Sequence, residues 1–138
     1  MKVTNFEIAS TVELFVANRL LDLHNNYDFA EVSYAPEQCL VTLRWVRGTG
    51  DWVKEELPSS LSLRITGVDL LTIQQRDQEL PHSEDSCLEC IAFLSNADWC
   101  TGPFLHDGLP EPGWAWVFRF MSGIEIVVQA REVTAQIG

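Results

Sequence analysis

The 138-residue sequence is short of positive charge, with 9 Lys and Arg against 20 Asp and Glu, a formal net charge of -11. A strong phosphate binder needs a basic surface, so this balance argues against a nucleic-acid or anionic-membrane partner. Long apolar runs are also missing. The richest stretch, residues 12–23, is broken by Glu13, Asn18, Arg19 and Asp22, and is too short and too charged to span a bilayer. The first residues carry one Lys, an acid at position 7 and no apolar core of a secretory signal, so the expected compartment is the cytoplasm. Cys39, Cys87, Cys90 and Cys100 are then expected as thiols.

Signature motifs are lacking too. No Gly-x-Ser-x-Gly, His-Glu-x-x-His, Gly-x-Gly-x-x-Gly or Walker pattern occurs, and the three histidines are scattered. No cofactor is implied. What is present is an ordinary apolar fraction of 46%, including 5 Trp and 7 Phe, enough for the core of a single domain over residues 1–138.

The periodicity is mostly two. Alternation predicts strands over 3–9, 29–34, 39–47, 61–66, 68–75 and 87–95, separated by Gly, Pro and polar turns. The clearest signal is a hairpin. Trp116, Phe118 and Phe120 alternate with polar or smaller residues, as do Ile124, Ile126 and Val128. A three-residue loop, Met121-Ser122-Gly123, keeps both apolar rows on one face and sets Arg119 opposite Glu125. A parity change after Ala130 predicts a β-bulge at Arg131-Glu132.

One segment reads differently. Ser10-x-x-Glu13 is a capping box, and Val12, Phe15, Val16, Leu20 and Leu23 fit a 3.6-residue period. This predicts a helix over 11–24, with a β segment as the rival reading. The expected fold is mainly β (α+β): an antiparallel β-sandwich or strongly curved sheet of about seven strands with one N-terminal helix. The absence of strand–helix alternation argues against a parallel sheet.

Three groups of residues could carry function. Asp77, Glu79, Glu84, Asp85 and Glu89 form an acidic cluster, read either as a solvated loop or as a docking surface for a basic partner. Trp52 and Trp99 stand at loop positions beside Asp51 and Asp98, as interface anchors or as rings folded back on the core. Cys87-x-x-Cys90, with Cys100 and His106, could bind metal only if two loops met at one strand end. On a strand, residues three apart face opposite ways, so ordinary thiols are the expectation and no metal is assigned.

Three segments give the chain a family likeness: Asn25-Asn26-Tyr27-Asp28-Phe29-Ala30-Glu31-Val32, residues 61–71, and residues 116–126. Through them the sequence resembles the small acidic immunity proteins of bacterial polymorphic-toxin systems. The resemblance implies a cytoplasmic, non-catalytic inhibitor that occludes a basic toxin. Two alternatives stand beside it. One is a ligand- or metal-binding domain, or a hydrolase, using the 96–113 loop with Asp98, Cys100, His106 and Asp107. The other is an interaction module of a larger assembly.

Overall fold

The computed structural model describes residues 1–95 and 110–138. The protein is mainly β. Twelve strands are found among these residues: β1 (Lys2–Thr4), β2 (Phe6–Ile8), β3 (Glu13–Val16), β4 (Arg19–Asp22), β5 (Tyr27–Ala35), β6 (Leu40–Arg47), β7 (Ser60–Thr66), β8 (Leu70–Gln74), β9 (Leu88–Leu94), β10 (Ala115–Phe120), β11 (Glu125–Gln129) and β12 (Glu132–Ile137). Among the described residues, helical structure is limited to two 3-10 turns, Pro36–Gln38 and His82–Ser86.

The strands form three open sheets, ordered β1-β12-β7-β6-β5, β8-β11-β10-β9 and β2-β3-β4. All pairings are antiparallel among the described residues except β1 with β12.

The expected N-terminal helix is absent, and β3 and β4 form a hairpin in its place. One half of the capping box is still made, the serine oxygen accepting from the Glu13 amide, while the Glu13 side chain bonds the Ser10 hydroxyl and not its amide. Ser10 Oγ accepts from Glu13 N at 3.1 Å and donates to Glu13 Oε1 at 3.0 Å. A Ser–Glu pair of this kind fixes one turn of backbone, and it can lead into a strand as readily as into a helix. Ala17 and Asn18 then adopt φ of 50° and 62° and reverse the chain in two residues. Both central residues of such a primed turn are left-handed, which matches the twist of the flanking strands. Leu14, Val16, Leu21 and Leu23 are buried, while Phe15 and Leu20 pair across the outer face. Burial therefore follows a period of two.

The first strand is also divided. Asn5, at φ 63°, separates β1 from β2 and sends them to different sheets. Its side chain replaces the missing strand bonds. Nδ2 donates to Ala135 O at 2.8 Å, and Oδ1 accepts from Ala135 N at 2.9 Å.

The C-terminal hairpin follows its sequence pattern. Trp116 faces Val128, Phe118 faces Ile126, and Gly123 sits at φ 90°. Arg119 holds Glu125 Oε2 through Nε at 3.0 Å and Nη2 at 2.9 Å. The parity change after Ala130 has another cause than a bulge. There the chain leaves the sheet of β11 and enters the sheet of β12. Each strand presents its apolar face to the common core, so the alternation restarts.

One core cluster draws on all three sheets, with Leu14, Trp45, Leu63, Phe93, Trp116, Ile126 and Val133 among its members. Its aromatic rings meet in tilted and edge-on pairs. Phe29 lies 4.6 Å from Phe120 and 5.1 Å from Trp45, and Phe93 lies 5.4 Å from Trp116. Each such pair contributes about 0.5–1.5 kcal/mol beyond its buried area. Strands β9 and β10 are buried on both faces, since Ala92, Leu94, Ala115 and Val117 form a second cluster on their far side. No helix among the described residues is long and apolar enough to cross a membrane.

Candidate functional site

The most distinctive surface feature is built at the ends of β4, β5 and β6. Its foundation is the turn after β4. Asp22 Oδ1 accepts from the amides of His24 and Asn25, each at 2.9 Å, and Asp22 Oδ2 accepts from Asn25 Nδ2 at 2.8 Å. This fixes the Asn25 and Asn26 carbonyls, and the 48–58 loop is fastened to both. Gly48 N donates to Asn26 O at 2.8 Å, and the Trp52 indole Nε1 donates to Asn25 O at 2.9 Å.

Trp52 lies in a turn closed by Val53 N to Gly50 O at 3.0 Å. A Cβ placed on Gly50 would stand 2.5–2.6 Å from three consecutive atoms of the Trp52 benzo ring. Near-equal distances to three neighbouring ring atoms arise only above the plane of the ring. Gly50 is thus the floor on which one face of the indole lies flat. A side chain at Gly50 would lift the ring. The residue nevertheless remains 71% exposed, the highest value of any large apolar side chain described.

The contrast with the core tryptophans is informative. Trp45 and Trp116 are fully buried, yet among the described residues neither indole N–H has a hydrogen-bond partner. Trp52 is exposed and its N–H is satisfied.

Two guanidinium groups flank this corner. Arg47 Nη1 donates to Glu55 O at 2.5 Å and to Leu57 O at 2.7 Å. Arg19 Nη1 donates to Glu56 O. Both act on Tyr27, whose hydroxyl donates to Pro58 O at 2.9 Å. Burial pushes the Tyr27 phenol above its ordinary value, and the charges of Arg47 and Arg19 oppose that shift. Among the described residues neither arginine makes an ion pair, so their charge is not cancelled by a carboxylate contact. Arg47, Gly48, Thr49, Gly50, Asp51 and Glu55 line an open cleft of about 390 Å³ here.

The acidic segment is a different kind of structure. Asp85 Oδ1 pairs with Arg76 Nε at 2.9 Å, and its Oδ2 lies 3.5 Å from His82 Nδ1. The Arg76 hydrogen bond, with help from Ser122 and His82, outweighs desolvation and holds the Asp85 carboxyl below the usual carboxylate range. Asp77 Oδ1 accepts from Glu79 N at 2.9 Å, and Asp77 N donates to Ser122 O at 2.8 Å. Asp77 and Glu79 are exposed, while Glu84 and Asp85 are half-buried. The segment thus satisfies part of its polar groups internally and is tied to the loop of the C-terminal hairpin through Asp77 N to Ser122 O.

The thiols are dispersed. Cys87 Sγ lies 3.5 Å from His24 Nδ1, but that nitrogen is 2.6 Å from Leu88 O and so donates to the carbonyl. Burial, then Glu84 and Asp28, push the Cys87 thiol up; burial is also the main cause raising Cys90. Neither is an activated nucleophile. No group of three or more metal-ligating side chains converges among the described residues. Trp99, Cys100 and His106, like most of the 96–113 loop, lie outside the described residues.

The structure seats Trp52 on Gly50 and bonds it to Asn25 O, while Arg19, Arg47 and Tyr27 fasten the later part of the same loop through its carbonyls at 55–58; the sequence pattern singled out none of these three. The one local signal is Gly48-Thr49-Gly50 directly before Asp51-Trp52.

Comparison with known proteins redirects the functional reading. The chain is 30% identical over 125 residues, 87% of its length, to an AdoMet-dependent rRNA methyltransferase spb1 of Aspergillus fumigatus. It is 29% identical over 126 residues, again 87%, to the AdoMet-dependent rRNA methyltransferase SPB1 of Pyricularia oryzae. The chain spans only about 15% and 14% of these relatives. No family model matches, and no solved structure matches.

These relatives overturn the immunity-protein resemblance. The matched proteins are fungal and their names describe rRNA methylation, so the bacterial inhibitor, its basic toxin partner and the exclusion of nucleic acid all fall. The error has a physical source. Net charge is a sum over the whole surface, whereas recognition depends on what is locally unsatisfied.

Both names specify AdoMet. Doubly wound sheets hold nucleoside cofactors in the crevice beyond the carboxyl ends of parallel strands, above a Gly-rich turn into a helix. Here the parallel pairing described is β1 with β12 alone, and neither strand leads into a described helix. The cleft beside β1, about 490 Å³, is lined by Met1, Val3, Phe6, Glu7, Ile8 and Pro110, with one carboxylate and no Gly-rich turn. The described residues do not fit that cofactor.

Proposed function

We propose that this chain is a methyltransferase-related β domain that takes part in rRNA modification by contacting RNA. In this reading the methyl-donor site lies outside the domain. The observation that carries it is the similarity to rRNA methyltransferases across 87% of the chain, combined with a mainly antiparallel architecture. A match over so much of this chain, but so little of the relatives, fits one domain among several.

The finer architecture belongs to the same proposal. The three sheets act as a sandwich-like unit around one core, and the whole chain is one domain. The contact surface is the Trp52 corner, where an exposed ring shares its loop with two guanidiniums that bind backbone carbonyls and make no ion pair among the described residues.

The test is a pair of titrations of the purified chain. Retention of a fragment of ribosomal RNA at low ionic strength, with no heat of binding for AdoMet, is the expected result. Tight AdoMet binding would remove the division of labour, and failure to retain any RNA would remove the reading.

A further inference from the structure

The ring of Trp52 has two faces, and only one is used. Gly50 covers one face, and the hydrogen bond to Asn25 O fixes the ring's rotation. The other face is open, as the 71% exposure requires. An exposed indole normally costs little to reorient, and a solvent-facing Trp has no packing reason to be held. Here a glycine floor, an indole hydrogen bond and an Asx-type turn at Asp22 all fix its position. Such preorganisation lowers the entropy lost when a flat group stacks on it.

Charge narrows the choice of group. The cations of the corner, Arg19 and Arg47, are held by backbone carbonyls and make no ion pair among the described residues. They favour an anion joined to the flat group. A nucleobase with its phosphate supplies both: a π-face for the indole and an anion for the guanidiniums. The acids of the corner, Asp51, Glu55 and Glu56, limit the phosphate attraction. Stacking must then supply most of the affinity, and salt dependence should be shallow.

We infer that Trp52, seated on Gly50, is a stacking platform for an unpaired nucleobase of single-stranded RNA. Arg47, which lines the same cleft as Gly50, serves as the contact for the adjoining phosphate. The inference rests on the RNA reading above and deepens it. It predicts that the domain recognises an unstacked base, as in a loop or bulge, and not a continuous duplex.

The experiment is fluorescence anisotropy with a short labelled single-stranded RNA of mixed sequence, at low ionic strength. The wild type is compared with Trp52→Ala, Trp52→Phe and Gly50→Ala, and circular dichroism checks that each variant is folded. Loss of the ring should weaken binding roughly five- to a hundredfold, the range for one base–aromatic stack. Trp52→Phe should retain most of the affinity. Gly50→Ala should lose affinity although it removes no polar group. An RNA of the same length lacking bases should bind the wild type and Trp52→Ala equally.

If the wild type binds RNA and Trp52→Ala binds it as well, the platform is refuted while the RNA reading stands. If the wild type binds no RNA, both fail. Equal binding of a duplex of the same sequence, or binding of a proline-rich peptide in preference to RNA, would also overturn the inference. Should Trp52→Ala not fold, the order wild type, then Trp52→Phe, then Gly50→Ala decides the matter.

Discussion

Two loops of this protein carry its most conspicuous surface residues, and they treat charge in opposite ways. Around 76–87, the cation is consumed. Arg76 binds Asp85, and the segment is sewn to the C-terminal hairpin through Asp77 N to Ser122 O and Met121 N to Cys87 O. Around 47–58, the cations are held by neutral carbonyls, and the charge of Arg47 and Arg19 remains available. The acidic loop holds one arginine against four acids and satisfies part of that charge internally. The tryptophan corner balances its acids with Arg47, Lys54 and Arg19 and leaves more of its capacity open. Abundance and availability are therefore different properties of a surface, and recognition follows availability.

Several substitutions would sharpen or break this contrast. The largest effect on stability is expected for Arg47→Ala. It removes two charge-assisted bonds that shape the 48–58 loop, each worth about 1.5–3 kcal/mol where one partner is ionised. Urea unfolding should show a loss of about 2–4 kcal/mol, given partial solvation of the vacated carbonyls. A loss below half a unit would mean that the loop does not depend on its arginine.

Tyr27→Phe comes next. It removes the hydrogen bond to Pro58 O from a buried phenol, at a cost of about 1 kcal/mol. The raised phenol pKa adds an alkaline signature. A tyrosine whose folded pKa exceeds its unfolded value contributes stability that is complete below the unfolded pKa and lost as pH rises through the folded one. Alkaline unfolding curves of wild type and Tyr27→Phe should therefore differ, with the variant less sensitive to high pH.

A smaller effect should follow from Asp77→Asn, Glu79→Gln and Glu84→Gln combined, with Asp85 left to hold Arg76. Removing three distant negative charges should strengthen RNA binding a few-fold at low salt and leave it unchanged at high salt. Weakened binding in anisotropy titrations would make the acidic loop a contact surface and reverse the comparison.

The mildest test is acid titration of Asp85. Its carboxyl is lowered in the fold, so its stabilising contribution is present above the ordinary carboxylate pKa and disappears as pH falls through the folded value. Asp85→Asn should flatten this part of the acid unfolding curve. Identical curves would show that Arg76 does not need its partner.

The same contrast explains how much could be read beforehand. The C-terminal hairpin was legible because Trp116, Phe118, Ile126 and Val128 alternate without exception, parity excludes a two-residue loop, and Gly123 marks the three-residue one. Segment 11–24 was misread as a helix because its Ser10–Glu13 exchange is local and common to both outcomes. The deciding turn uses Ala17 at positive φ, a residue type that does not advertise it. The parity change at Ala130 was visible, but a bulge and a change of sheet leave the same trace in a sequence.

Trp52 was recognisable as a loop tryptophan. Its partners were not, since Asn25 lies 27 residues away and Arg19 reaches a carbonyl 37 residues away. Side chain to backbone bonds of that span carry no residue-type signal at the acceptor. The functional class was missed for a related reason. The net charge of -11 describes the whole surface and hides a corner whose cations are unpaired.

The central claim is that the open face of Trp52 receives a base. Quenching of tryptophan fluorescence by acrylamide reads this face directly. Trp52→Phe identifies by difference the component that belongs to Trp52, since Trp45 and Trp116 are buried and whatever Trp99 and Trp114 contribute is common to both proteins. Saturating single-stranded RNA should remove that component from the wild type and leave the Trp52→Phe signal unchanged. If RNA binds and the Trp52 component stays as quenchable as before, the ring is not where the base sits.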